Sequence, residues 1–183
     1  EVALGATLDD GIMKDIPIIG PLVKGGNAII TIRDRIFIRK VGRFLSALDK
    51  IPREDVDQFL KSLDDQKVRE KVGEKLILLL DRQDDLKKPD LIGAVFAWYI
   101  ANKIDRQAFE MIAHSITIAF LSDIEDLWLY IDQPHLIDDS LGMALASYGL
   151  ASFAIEVFDA KTDGTAKSRN RYFLTNIGKI QIG

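Results

Sequence analysis

Hydrophobic side chains recur with the period of an α-helix over most of this chain, and this pattern restricts the fold more than any other feature. Along residues 30–48, apolar side chains follow at steps of seven, four, three and four: Ile30, Phe37, Val41, Phe44 and Leu48. Such steps place side chains on one face of a helix. This first helix is predicted to start near Asn27 and to end before Pro52.

Further helices are predicted from the same period as far as Gly149. Their ranges are 53–62, 66–82, 89–102, 105–121 with a bent continuation to residue 130, and 138–149. Pro89 suits the start of its helix because its missing N–H would have no partner there. Asp105 and Asp138 or Asp139 suit N-caps, and Gly149 suits a left-handed C-terminal residue. We therefore expect a mainly α fold, a bundle of five to seven helices.

The hydrophobic period changes after Gly149. Phe153, Ile155 and Val157 alternate with the residues between them, which is the pattern of a strand. A turn-rich run near 161–164 separates this strand from a second one near 171–174, so that a C-terminal β-hairpin is predicted. The expected division is a helical body, residues 1–130, and a small module, residues 131–183.

The C-terminal segment has an order of elements that is found in a known family. A helix ending at residues 148–150 is followed by a strand, a polar hairpin and a closing run that contains Tyr172, Leu174, Thr175 and Gly178. This Tyr-x-Leu-Thr-x-x-Gly pattern resembles the end of the wing in bacterial winged-helix regulators. The resemblance covers the last quarter of the chain and implies a recognition helix followed by a wing.

Nucleic-acid binding, which this resemblance implies, depends on hydrogen-bond donors. A recognition helix normally carries Arg, Lys, Asn or Gln toward the bases, yet residues 140–148 contain no charged side chain. Base readout by this helix is therefore not expected. The basic residues of the module are in the predicted wing: Lys161, Lys167, Arg169 and Arg171. We expect them to contact nucleic-acid phosphates or an acidic partner protein.

Charge is distributed unevenly along the chain. The total is 24 Lys plus Arg against 28 Asp plus Glu. Residues 33–43 contain five bases and one acid, whereas residues 121–139 contain six acids and no base. A uniformly basic nucleic-acid binder is excluded, and complementary charged surfaces are indicated.

The first helix has a basic ridge formed by Arg35, Arg39 and Arg43 at i, i+4 and i+8, beside an apolar stripe that includes Ile36. This composition is typical of a helix that lies on an anionic membrane surface. The alternative is that acids of the chain itself, at 53–90 or 121–139, pair with the arginines. The apolar run 16–32 is interrupted by Pro, Gly and Lys, so no membrane-spanning helix is predicted there. No signal-peptide pattern is visible.

Catalytic chemistry has few candidate side chains, since the chain contains no cysteine and two histidines. His135 has aspartates nearby in sequence and could bind a metal ion, but no second histidine is close. His114 lies in an apolar helical run, where we expect it at the edge of the core. The paired acids, such as Asp84 and Asp85, fall at predicted helix boundaries, where acids favour helix starts.

These observations favour a non-catalytic interaction or regulatory protein that presents a surface to a protein partner or to a second copy. No cofactor, metal ion or small-molecule substrate is indicated. Two alternatives remain open: a nucleic-acid binder that uses its wing, and a membrane-associated bacterial effector or defence protein that uses the basic first helix. We expect a cytoplasmic location, with the inner face of the membrane as the second option.

Overall fold

The computed structural model describes residues 31–49, 51–63, 65–158 and 167–175. These residues form seven helices and a C-terminal antiparallel hairpin, which confirms the predicted fold class. The elements are α1 (Ile32–Ser46), α2 (Arg53–Ser62), α3 (Gln66–Asp81), α4 (Lys88–Ile100), α5 (Arg106–Ile118), α6 (Leu121–Tyr130), α7 (Asp139–Ser147), β1 (Ala151–Phe158) and β2 (Lys167–Leu174). Contacts divide the chain into two compact units, Glu1–Phe109 and Glu110–Gly183.

Helix α1 begins at a capping box. The Thr31 hydroxyl accepts a hydrogen bond from the Asp34 N–H at 3.2 Å, and the Asp34 carboxylate accepts one from the Thr31 N–H at 2.8 Å. Because Thr31 has extended backbone angles, the helix starts at Ile32. The predicted start near Asn27 is therefore wrong, and Asn27 itself lies outside the described residues.

The core of the first unit is built where α1 crosses α4. Val41, Phe44 and Leu45 form the buried face of α1, and the Phe44 ring centroid lies 5.6 Å from that of Phe96. Gly93 permits this close approach, because a Cβ there would lie 2.6 Å from the Phe44 carbonyl oxygen. Of the predicted stripe on the first helix, Val41, Phe44 and Leu48 are buried and Phe37 is half-buried.

The second unit contains a break near the position where the sequence predicted a bend. The predicted bent helix from residue 105 to 130 is two helices, α5 and α6, because Phe120 between them has an extended backbone with ψ of 141°. Asp105 and Asp138 are N-caps as predicted, accepting from the backbone N–H groups of Ala108 and Leu141. Gly149 has a φ of +76°, which confirms the left-handed end of the last helix.

The hairpin and the last two helices share one hydrophobic cluster, formed by Leu127, Ile137, Leu145, Leu150, Ala151, Tyr172 and Leu174. Leu127 belongs to α6, so this helix packs in the same unit as the hairpin. The boundary between these units lies after Phe109, and the predicted boundary lies after residue 130. None of the described helices has the length and apolar character needed to cross a membrane.

Candidate interaction surfaces

The two strands of the hairpin pair in a simple antiparallel register that defines two faces. Ala151 lies opposite Leu174, Phe153 opposite Tyr172 and Glu156 opposite Arg169. Side chains alternate between the faces along each strand. Odd-numbered residues of β1 therefore share one face with even-numbered residues of β2, and the remaining residues share the other.

The face that carries the odd residues of β1 begins in the core and ends in exposed apolar side chains. Ala151, Tyr172 and Leu174 are buried. Phe153 and Ile155, one and two pleats farther along the strand, expose 57% and 63% of their surface. We call Phe153 and Ile155 the apolar hairpin face. Among the described residues, neither strand pairs with a third one.

The opposite face of the hairpin carries a group of paired charges and one exposed aromatic side chain, Phe173. The Arg169 Nε donates a hydrogen bond of 2.8 Å to the Glu156 carboxylate, and an Arg171 nitrogen lies 3.8 Å from the same carboxylate. The Arg171 guanidinium also lies 5.9 Å from the ring centroid of Phe173. The hydrogen bond from Arg169 lowers the pKa of Glu156. This face therefore contains one carboxylate between two arginines.

The four predicted wing residues are brought together only in part. Arg169 and Arg171 lie on the same face of β2 and share Glu156. Lys167 is placed at the backbone level, opposite Phe158. Lys161 lies outside the described residues.

Helix α7 takes the place of the recognition helix in the predicted winged-helix order. Its exposed positions include Ser140, Met143 and Ser147. These side chains offer two hydroxyl groups and a thioether, with no cation. The exposed side of α7 is thus weakly suited to phosphate or base contacts.

Tyr172 and Asp139 hold the hairpin against the last helix. The Tyr172 hydroxyl donates a hydrogen bond of 3.0 Å to the Asp139 carboxylate. Burial, and then this carboxylate, raise the pKa of Tyr172. The base of the hairpin is fixed by buried and polar contacts, while Phe153 and Ile155 extend beyond it.

Among the described residues, only part of the basic ridge on α1 has an acidic partner. The Arg43 Nε donates to both oxygens of Asp90 at 3.0 and 2.9 Å, and Arg33 pairs with Asp81 at 3.3 Å. Asp81 and Asp90 belong to the acid-containing region 53–90, so the alternative of internal pairing is confirmed for Arg43.

Arg35 and Arg39 differ from Arg43 in their ion pairing. Both are exposed, and neither forms an ion pair within the part of the chain that the structure describes. Ile32 and Ile36 lie on the same side of the helix and expose 78% and 42% of their surface. Ile36 was predicted to belong to the apolar stripe, yet it points away from the buried face of Val41 and Phe44.

The described side chains that could act in catalysis or bind a metal ion do not form a cluster. His114 and His135 are both exposed, which corrects the expectation that His114 lies at the edge of the core. The described residues include no group of three or more side chains suited to hold a metal ion. Asp84 pairs with the buried Lys88 at 2.6 Å, which lowers the pKa of Asp84, and Asp85 accepts from the Lys87 N–H. These two acids therefore organise the start of α4, as predicted.

Sequence reasoning missed the exposed isoleucines of α1 and the position at which the hairpin leaves the core. In the strand pairing, Ile155 lies opposite the polar Asn170, whereas Ala151 lies opposite Leu174, so the apolar cover of this face ends before Ile155. Comparisons with protein-family models, curated proteins and solved structures give no match for this chain.

Proposed function

We propose that this protein is a non-catalytic interaction module whose second unit binds a protein partner through the apolar hairpin face. The observation that supports this proposal best is the exposure of Phe153 and Ile155 on a strand whose base is anchored in the core. Large apolar side chains on a fixed scaffold are favourable contact residues, because they lose little conformational freedom on binding.

The backbone of the hairpin adds a second means of contact. Within the described chain, no third strand pairs with the outer edge of β1 or of β2. An extended segment of a partner can pair with such an edge while its side chains cover the sheet face. Exposed edges and exposed apolar side chains thus favour a partner that contributes a strand or an apolar groove.

Nucleic-acid binding through the wing has less support. Arg169 and Arg171 already contact Glu156, and the exposed positions of α7 include no base. A phosphate would have to compete with the carboxylate of Glu156 for both guanidinium groups. The winged-helix resemblance therefore remains a prediction, and it serves as the competing outcome of the test.

The test compares two double variants of the full chain. Phe153→Thr with Ile155→Thr removes the apolar hairpin face. Threonine is itself a favourable strand residue, so both strands should be kept. Arg169→Gln with Arg171→Gln changes the opposite face of the same hairpin. Affinity capture from native extract, followed by titration of the purified partner, measures each variant against the wild type.

We expect the threonine pair to abolish capture of the protein partner and the glutamine pair to retain it. Circular dichroism establishes that both variants fold. The proposal fails if capture survives the threonine pair. It also fails if the chain binds duplex DNA in a salt-dependent manner that only the glutamine pair abolishes.

A further inference from the structure

We propose that the outer face of α1 binds the surface of an anionic phospholipid bilayer, through Ile32, Arg35, Ile36 and Arg39. This lipid-binding site lies in the first unit and is independent of the hairpin in the second. We call these four residues the α1 outer patch.

The geometry of α1 puts the patch on one side of the helix. Successive residues turn by about 100°, so positions 32, 35, 36 and 39 fall within a single strip. Val41, Phe44 and Leu45, which are buried, lie on the other side. The inner face therefore fixes the helix on its unit, and the side chains of the outer face are exposed.

The charge of the patch is positive, and no described residue compensates it. Asp34, the acid within this helix, is held by Thr31 in the capping box. Arg35 and Arg39 form no ion pair with any described residue. Their neighbours Arg33 and Arg43 are paired with Asp81 and Asp90. A partner that complements this patch must supply negative charge.

The isoleucines decide which anionic partner fits. Ile32 exposes 78% of its surface and Ile36 exposes 42%. Both lie directly beside the two arginines. A bilayer interface accepts both kinds of group, because apolar side chains enter the acyl boundary while guanidinium groups reach the phosphates. An acidic protein surface would leave the isoleucines beside carboxylates. The alternation of apolar and basic side chains thus favours a lipid surface.

The experiment measures partitioning of the full chain on two kinds of vesicle, one of phosphatidylcholine and one of phosphatidylcholine mixed with phosphatidylglycerol. We expect binding to the anionic vesicles that weakens as salt is added. Each arginine near an anionic surface contributes about fivefold in partitioning, so Arg35→Gln with Arg39→Gln should lower it roughly 30-fold. Glutamine is nearly as favourable in a helix as arginine, so the fold is retained.

A matched control is available on α3. Lys67 and Lys71 are exposed and have the same i, i+4 spacing, but they lie on a helix that also carries Glu70 and Glu74. Lys67→Gln with Lys71→Gln changes the net charge by the same amount and should leave vesicle binding within about twofold of the wild type, because these lysines have acidic neighbours to offset them. A third variant, Ile32→Asn with Ile36→Asn, should weaken binding while its salt dependence persists.

Three results would overturn the lipid site. One is a wild-type chain that does not bind the anionic vesicles. Another is an equal loss of vesicle binding in the double arginine variant and the double lysine variant, which would show a general charge effect. The third is binding to polyglutamate, in place of vesicles, that the arginine pair abolishes, since the patch would then recognise an acidic polypeptide. Retained capture of the hairpin partner in the Arg35 and Arg39 variant would show that the two sites are independent.

Discussion

The ring of Tyr172 lies directly against the backbone of Gly142. A Cβ built on Gly142 would come within 2.5 Å of three ring carbons, and the Tyr172 hydroxyl is hydrogen-bonded to Asp139 on the same helix. Both residues are buried. The hairpin is therefore seated on α7 by an aromatic ring that occupies the space where a side chain would be.

Substitution of Gly142 by alanine should destabilise the second unit. The added methyl group must displace the ring or shift α7, and overpacking of this kind costs about 2 kcal/mol. Chemical denaturation followed by tyrosine fluorescence measures the change. Ser140→Ala, on the exposed side of the same helix, is the control and should change stability by less than about 0.5 kcal/mol. An unchanged midpoint for Gly142→Ala would contradict this packing.

Gly93 has the corresponding role in the first unit. A Cβ there would lie 2.7 Å from the Ala47 Cβ and 2.6 Å from the Phe44 carbonyl oxygen. The second of these atoms belongs to the backbone and cannot rotate away. We expect Gly93→Ala to lower the free energy of unfolding by about 2 kcal/mol, although alanine is intrinsically the better helix former. A thermal melt that rises in this variant would show that α1 and α4 are less closely packed.

Much of the fold could be predicted because each helix needs an apolar stripe to bury. Val41 and Phe44 recur at helical spacing and are buried, and the caps at Asp105 and Asp138 depend only on local side chains. The hairpin followed from the change of period after Gly149. These features are encoded within a few neighbouring residues.

Other features depend on which elements pack together, and local sequence does not contain that information. The second half of α3 is apolar nearly all round in sequence, yet Leu78 exposes 58% of its surface. The extended backbone at Phe120 has no proline or glycine to indicate it. The same reason explains why Phe153 and Ile36, predicted only as parts of a strand and of an apolar helix stripe, are exposed and form parts of the candidate surfaces.

The ion pair on the polar face of the hairpin should make its stability depend on acid. Hydrogen bonding and charge from Arg169 hold the pKa of Glu156 below its ordinary value of 4.5. A carboxylate with a lowered folded-state pKa stabilises the fold fully above pH 4.5. This contribution is lost as the pH falls through the folded-state pKa. We expect Glu156→Gln to be less stable than wild type at neutral pH and equally stable in strong acid.

Denaturation of both proteins across this pH range measures the effect. Asp126→Asn is a suitable control, because Asp126 is exposed and forms no ion pair within the described chain. A difference between Glu156→Gln and wild type that persists unchanged into acid would contradict the ion pair as its source.

Tyr148 should produce the opposite dependence in alkali. Burial and then the hydrogen bond to Asp123, 2.8 Å between the phenol and carboxylate oxygens, raise the pKa of this phenol above 10.0. A raised folded-state pKa means that the contribution of Tyr148 to stability is complete below pH 10.0 and is lost as the pH rises through the folded-state pKa.

Tyr148→Phe removes the hydrogen bond and should cost about 1 kcal/mol of stability at neutral pH. It should also abolish this part of the loss of stability in alkali. Spectroscopic titration of the tyrosines identifies the group directly: the variant should lack one phenol whose pKa is raised above 10.0. If Tyr148→Phe and wild type lose stability in parallel above pH 10.0, the contact between α6 and the end of α7 does not restrain this phenol.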